Sequence, residues 1–315
     1  MKQQQRWPVT GSLFALWAAG LILVGCARQA PGSRAMVAGG DAGGIPRAQP
    51  ADEHLDAAAL EQVSRDPVAR GLLVFVVMRH GHVVFDRYAH GMGADSDAPV
   101  DGFAPVLPAL LAGVAVSNDL FPFPPRSAFE PNQIRGRIES AAHQPYPDFL
   151  STQLWRPLNA APAWIALQAG TPTPADCCFH ARVLDWLRVA DLLVEDGRFE
   201  DRQVVPTGWV ARMRQPLTSD GSRGMGVLLA PAAQGAEAFE LPQETFFLRA
   251  AGHWRLWLIP SERLVVLFGA AVDTDSATAH TWDETRLPNM VVRALSEPIK
   301  GNDAASKLQQ LVPGH

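Results

Sequence analysis

Three kinds of chemistry can be looked for in this 315-residue chain from residue type and spacing. In Met78-Arg79-His80-Gly81-His82, a guanidinium beside an imidazole would hold a phosphate while the imidazole attacks phosphorus. His253 would serve as a second histidine for that chemistry. Cys177 and Cys178 stand three and two residues before His180, a spacing that would pair a thiolate with an imidazole. The third chemistry needs a serine hydroxyl with a lysine amine one helical turn later, Ser-x-x-Lys, so that the amine helps remove the hydroxyl proton. Lysine occurs only at Lys2, Lys300 and Lys307, and the residues three before the last two are Glu297 and Ala304. The chain contains no Ser-x-x-Lys.

The first two stretches also have plain structural readings. After Gly81 the chain returns at once to strand alternation at Val83 and Phe85, as a tight hairpin does, which leaves His80 and His82 facing solvent. A bond between neighbouring cysteines needs a strained small ring, so Cys177 and Cys178 read as small buried residues. Two cysteines and one histidine fall short of a zinc ligand set. No metal or cofactor is implied.

The elements that would position these groups follow from pattern. Leu72–Met78 and His82–Tyr88 read as two strands joined through Gly81. Ala51–Val63 has a capping-type start and a short helical period at Leu55, Leu60 and Val63. Asp101–Leu120 ends in an apolar run, but Pro105 and Pro108 at its head move the expected helix start to about Pro108. Residues 121–147 are proline-rich and read as irregular. His180–Gly197 reads as a helix with Val183, Leu184, Leu187, Ala190 and Leu193 on one face and Gly197 as its stop. From about Met225 the chain is β-rich, and Thr285–Pro298 closes as a helix.

A hydrophobic content of 47% and 19% charge describe a globular chain with a substantial core. The net charge of −5, without clustered Lys and Arg, excludes a nucleic-acid surface. Lys2 and Arg6 precede an apolar stretch, Leu13–Val24, that is too short to span a membrane and reads as a secretory signal. Its ending, Leu-Val-Gly-Cys26, resembles the bacterial lipobox. The resemblance implies that Cys26 is acylated and anchors the chain to a membrane. Ala27 after it points to the outer membrane, facing the periplasm. Residues 27–50, rich in Gly, Ala, Pro and Arg, read as a flexible tether, 51–300 as the folded domain and 301–315 as a polar tail.

Five segments in order resemble the serine β-lactamase and penicillin-binding-protein superfamily, in particular its class C-like branch with esterases and 6-aminohexanoate-dimer hydrolases. Leu72–Gly91 resembles the first hairpin, which reads apolar strand, Arg-x-Gly, apolar strand, acidic residue, Tyr, Gly. Asp86, Tyr88 and Gly91 fall on that pattern. "ALLAGVAV" resembles the helix after the nucleophile, "LSTQLWRPLNA" the Leu-Trp-x-Pro-Leu-Gly segment, and "HARVLDWLRVADLLVEDGRFEDRQVVPTGWV" the helical C-terminal third. "AGHWRLWLIPSERLVVLFGAA" resembles the sheet hairpin beside the active site. The resemblance implies an α+β fold of the β-lactamase/transpeptidase type, an antiparallel sheet flanked by helices, with a reduced helical lobe.

The same resemblance places Gly102 at the nucleophilic serine and Pro105 at its lysine. The tyrosine of the family's Tyr-x-Asn element also reads as lost, since Tyr88 belongs to the hairpin and Tyr146 leads into the Leu-Trp helix. At the strand edging the pocket, His253 stands where the family has His-x-Gly, followed by Trp254 and Arg255 in place of small residues. Trp254 is expected to close the remnant groove, and Arg255 reads either as an anion holder or as an ordinary sheet-face residue. These substitutions imply a catalytically inactive binding or scaffolding module at the envelope, with a peptidoglycan-like or peptide ligand. Two alternatives stand beside it: a hydrolase with a relocated nucleophile, Ser96 or Ser117, and a histidine phosphatase using Arg79-His80-Gly81.

Overall fold

Both faces of the central sheet are covered, which is why its strands are written as almost unbroken apolar runs. The computed structural model describes residues 33–69, 71–122, 129–233, 241–270 and 283–296. Cys26 and the residues read as the signal and the polar tail lie outside them. In chain order come β1 (Arg34–Val37), α1 (Ala57–Val63), the hairpin β2 (Leu72–Arg79) and β3 (His82–Tyr88), and α2 (Val106–Ser117). The middle of the chain holds α3 (Pro131–Ala142), α4 (Tyr146–Leu150), β4 (Ala163–Ala166), β5 (Phe179–His180) and α5 (Val183–Val194). Then follow the short β6 (Arg198–Phe199) and β7 (Arg202–Gln203), α6 (Trp209–Met213) and β8 (Leu228–Leu229). β9 (Phe246–Arg249), β10 (Arg255–Ile259), β11 (Leu264–Ala270) and α7 (Arg286–Arg293) complete the domain.

The main sheet has the order β3-β2-β11-β10-β9-β8, every pairing antiparallel. Alternate side chains sort into two cores, as strand geometry requires. Val74, Val76 and Met78 of β2, Val265 and Leu267 of β11, and Leu256 and Leu258 of β10 join a core shared with α2 and α5. Phe75, Val77, Val266, Phe268, Trp257 and Ile259 point to the other face, where Leu60 of α1 and Leu287 and Val291 of α7 cover them. This is an α+β fold with an antiparallel sheet between helical layers.

Three sequence expectations are corrected. First, the stretch read as a tether is folded from β1 onward: β1 pairs with β4, Gly40 N–H donates to Ala160 O at 2.8 Å, and Arg47 pairs with Asp86 at 2.5 Å. A Cβ on Gly39 would stand 2.3 Å from Ala160 O, so glycines that looked like flexibility are needed for close backbone approach. Second, α2 begins at Val106. Pro105 caps it and Pro108 sits in its first turn, where backbone N–H groups have no intrahelical acceptor to lose. Third, the proline-rich 121–147 stretch contains α3, started by Glu130, whose carboxylate accepts from Gln133 N–H at 2.8 Å.

A buried carboxylate ties the sheet to its outer helices. Glu284 is fully buried and pairs with Arg249 at the end of β9 and Arg255 at the start of β10. Two residues later, Arg286 holds Asp66 through three contacts of 2.9–3.1 Å. Removing one member of such a buried group strands a desolvated charge. Glu284→Gln is therefore expected to lower unfolding free energy by about 3–5 kcal/mol in urea denaturation, with the sheet signal and the helix signal lost together.

Candidate functional site

The head of α2, where the sequence places Gly102 and Pro105, opens onto a cleft of about 580 Å³. Gly102 lies in a tight turn, Asp101–Phe103, and Pro105 is the cap residue. The helix behind them is fixed by burial: Val106–Ala115 are all buried, and Trp209 of α6 donates its indole N–H to Ala109 O at 2.9 Å. β9 forms the opposite wall with Phe247, Leu248 and Arg249. The segment Leu217–Leu228 closes the end.

Gly102 is exposed to this cleft, yet the direction a side chain would take is occupied. A Cβ there would stand 2.3 Å from the carbonyl oxygen of Arg249 and 2.8 Å from the Cα of Ala250. The carbonyl of Pro105 is approached closely by Gly226. A Cβ on Gly226 would meet Pro105 O at 2.4 Å, and Gly226 has φ +68°, which favours glycine. Gly102 is thus in backbone contact with Arg249 and Ala250, and Pro105 with Gly226.

Gly102 and Pro105 line this cleft, whereas the residues expected to frame the groove do not. His253, Trp254 and Arg255 are not among its lining residues. His253 sits in the β9–β10 turn at φ +55°. Trp254 is 1% exposed and lies against Gly269 of β11, where a Cβ would stand 2.2 Å from the ring. It packs in the core and does not cap the cleft. Arg255 is buried and committed to Glu284 and to the carbonyls of Ala250 and Trp254 at 3.1 and 2.8 Å. Burial pulls its pKa down, and Glu284 opposes that shift. Arg255 therefore serves the Glu284 cluster and offers no seat for an external anion.

Neither tyrosine lines the cleft. Tyr146 is 1% exposed in the core, and burial holds its hydroxyl pKa far above the ordinary value. Tyr88 stays on β3, with its pKa pushed up to about 12 by burial and then by Asp86. The candidate relocated serines are used locally. Ser96 Oγ accepts from Gly93 N–H at 2.9 Å, and Ser117 Oγ donates to Val114 O at 2.9 Å. All three lysines lie outside the described residues.

Sequence reasoning missed Thr218 and Arg223, which line the cleft beside its apolar wall of Val227, Leu228, Phe247 and Leu248. The Arg223 guanidinium has no side-chain partner among the described residues. The surrounding Ser-Asp-Gly-Ser-Arg-Gly reads only as a polar turn, and its place at the cleft comes from the sheet partner of Leu228.

The Arg79-His80-Gly81 stretch is a hairpin turn. His80 and Gly81 take φ +49° and +78° between the paired Arg79 and His82, as a two-residue type I′ turn requires. Arg79 is 8% exposed and donates to Glu53 O, Glu262 O and Glu262 Oε2 at 2.7–3.2 Å, so it presents no phosphate fork. His80 and His82 do not simply face solvent. Their Nδ1 atoms lie 2.6 and 2.9 Å from the two carboxylate oxygens of Glu53. Cys177 and Cys178, expected as separate buried thiols, are half-buried and joined as a vicinal disulfide, with Cys178 at φ +64°.

No family model and no curated protein matches this chain. Solved structures do. A putative 6-aminohexanoate-dimer hydrolase from Bacillus anthracis superposes with a TM-score of 0.62 at 14% identity, covering 90% of this chain and 92% of that one. A putative β-lactamase from Bacteroides dorei gives 0.58 at 11% identity, covering 77% and 100%, and a β-lactamase from Mycobacterium bovis gives 0.56 at 15%, covering 76% and 99%. The chain has the fold of the serine β-lactamases, penicillin-binding proteins and their esterase relatives.

The crowding at Gly102 has a measurable consequence. Gly102→Ala forces backbone apart and should cost about 1–3 kcal/mol. Gly136 of α3, around which nothing lies within 4 Å, serves as the control. Gly136→Ala should stabilise by about 0.5–1 kcal/mol. Opposite signs in thermal melting of the two variants are the expected outcome.

Proposed function

We propose that this chain is a lipid-anchored envelope protein that keeps the serine β-lactamase-like fold as a binding module and performs no serine acyl transfer. The observation that carries this reading is the 2.3 Å approach that a Cβ on Gly102 would make to Arg249 O. A nucleophile at the head of α2 must project from that Cβ. Acyl transfer also needs a base within hydrogen-bond reach of the hydroxyl, and Pro105 has neither a titratable group nor a donor. The lipobox-like Leu-Val-Gly-Cys26 supports membrane anchoring through an acylated Cys26.

The cleft supports a peptide as ligand, including a peptide of the peptidoglycan type. Its apolar wall would take aliphatic side chains, and Arg223 would pair with a terminal carboxylate. The fold alone does not choose the ligand.

One experiment separates this reading from a hydrolase. The domain from residue 27 is incubated with a fluorescent penicillin and a fluorophosphonate, then melted with and without an N-acetylated dipeptide ending in D-alanine. No covalent label is expected, with a higher melting temperature in the peptide that Arg223→Gln removes. Labelling abolished by a single Ser→Ala substitution would contradict the proposal. In the full chain, incorporation of an alkynyl fatty acid should be lost in Cys26→Ser.

A further inference from the structure

A second concavity, of about 430 Å³, shares no lining residue with the cleft. It opens at the C-terminal end of α5 and is walled by the His80–His82 turn, the 41–46 segment, Asn159, the 198–200 stretch and Arg263. Its charged groups do not cancel. Arg188 is held by Asp185, which lies outside the lining, at 2.8 Å, and Arg263 is paired with Glu195. Asp41, Asp191 and Glu200 then face Arg198, with Arg263, His80 and His82 also on the wall. Asp191 and Glu195 also stand in or just beyond the last turn of α5, where the helix's free carbonyls already favour positive charge.

Asp191 is the unexplained group. Its Oδ1 is buried and accepts no hydrogen bond. Gly81 leaves it room, since a Cβ there would stand 3.6 Å away. Burial and then Glu195 push its pKa up to about 6, with Glu200 adding to the shift, while Arg263 and His82 oppose it. A carboxyl whose folded pKa exceeds its unfolded value of about 3.9 holds its proton more tightly when folded. Raising the pH from about 4 through 6 therefore costs the empty fold stability. A cation seated beside the carboxylate would offset that cost.

We propose that this cavity binds a small alkylammonium compound, with Asp191 as the counter-ion. Ile45, Pro46, Met78 and Phe199 line the same space and supply apolar surface for the alkyl part. A bare metal ion fits less well, because no group of three or more metal-ligating side chains occurs among the described residues.

The test is calorimetric titration of the domain from residue 27 with 1,4-diaminobutane and with 1,4-butanediol, its neutral counterpart, at pH 7.5. The diamine should bind and the diol should not. Affinity should fall at least tenfold in Asp191→Asn and rise severalfold in Arg198→Gln, which removes an opposing rim charge. In the wild type it should fall as the pH is lowered from 7.5 to 5, and that fall should be smaller in Asp191→Asn than in the wild type, since His80 and His82 share the cavity wall. Equal behaviour of diamine and diol, or undiminished affinity in a folded Asp191→Asn, would overturn the proposal. If Asp191→Asn does not fold, affinity unaffected by both Arg198→Gln and the pH change would overturn it equally.

Discussion

The domain is organised around one close approach, the head of α2 against the end of β9. Backbone meets backbone there, with the Arg249 carbonyl where a side chain at residue 102 would project. Several other features hold β9 in that position. Arg249 and Arg255 share Glu284, so both strands flanking the β9–β10 turn are anchored to one buried carboxylate. Arg286, in the same stretch of chain, ties α7 to Asp66 after α1. On the far side, Trp209 fills the groove beside Gly113 of α2 so closely that a Cβ there would stand 2.6 Å from its ring. The cleft is the space left over once these contacts are satisfied.

Charge divides the surface between two concavities of opposite character. The cleft at the α2 head offers the guanidinium of Arg223 beside apolar residues. The cavity at the end of α5 has an excess of carboxylates, one of them without a hydrogen-bond partner at Oδ1. Between these sites, the buried ion pairs are structural. Asp185, fully buried, accepts from Ala161 N–H, Arg182 and Arg188, and so locks the 160–162 turn to α5. Buried groups satisfied in this way specify geometry and are not available for chemistry.

Much of this was legible in the sequence wherever period and composition reported on burial. The β2–β3 hairpin and α7 follow from their apolar patterns, whereas α1 starts only at Ala57, inside the stretch read as helical from Ala51, because the Asp56 carboxylate caps it there. The segments that resemble serine β-lactamases point to the fold and to the place of residues 102 and 105. Other features were hidden for physical reasons. α3 carries only Ile134 and Ile138 toward the core, too few to stand out against the prolines before it. Gly39 and Gly40 look like linker residues, because sequence does not distinguish a glycine kept for flexibility from one kept for close contact. Arg255 is committed to a partner 29 residues away in sequence, which no local pattern reports. Thr218 and Arg223 sit on a turn whose position depends on long-range sheet pairing.

The α2 head is tested most directly by placing there the serine and lysine that the resemblance expects. The double variant Gly102→Ser with Pro105→Lys would be melted and incubated with a fluorescent penicillin. The filled seat predicts a melting temperature below that of the wild type and no covalent label. A double variant that melts with the wild type and takes the label would show that the seat is open, and would contradict the account.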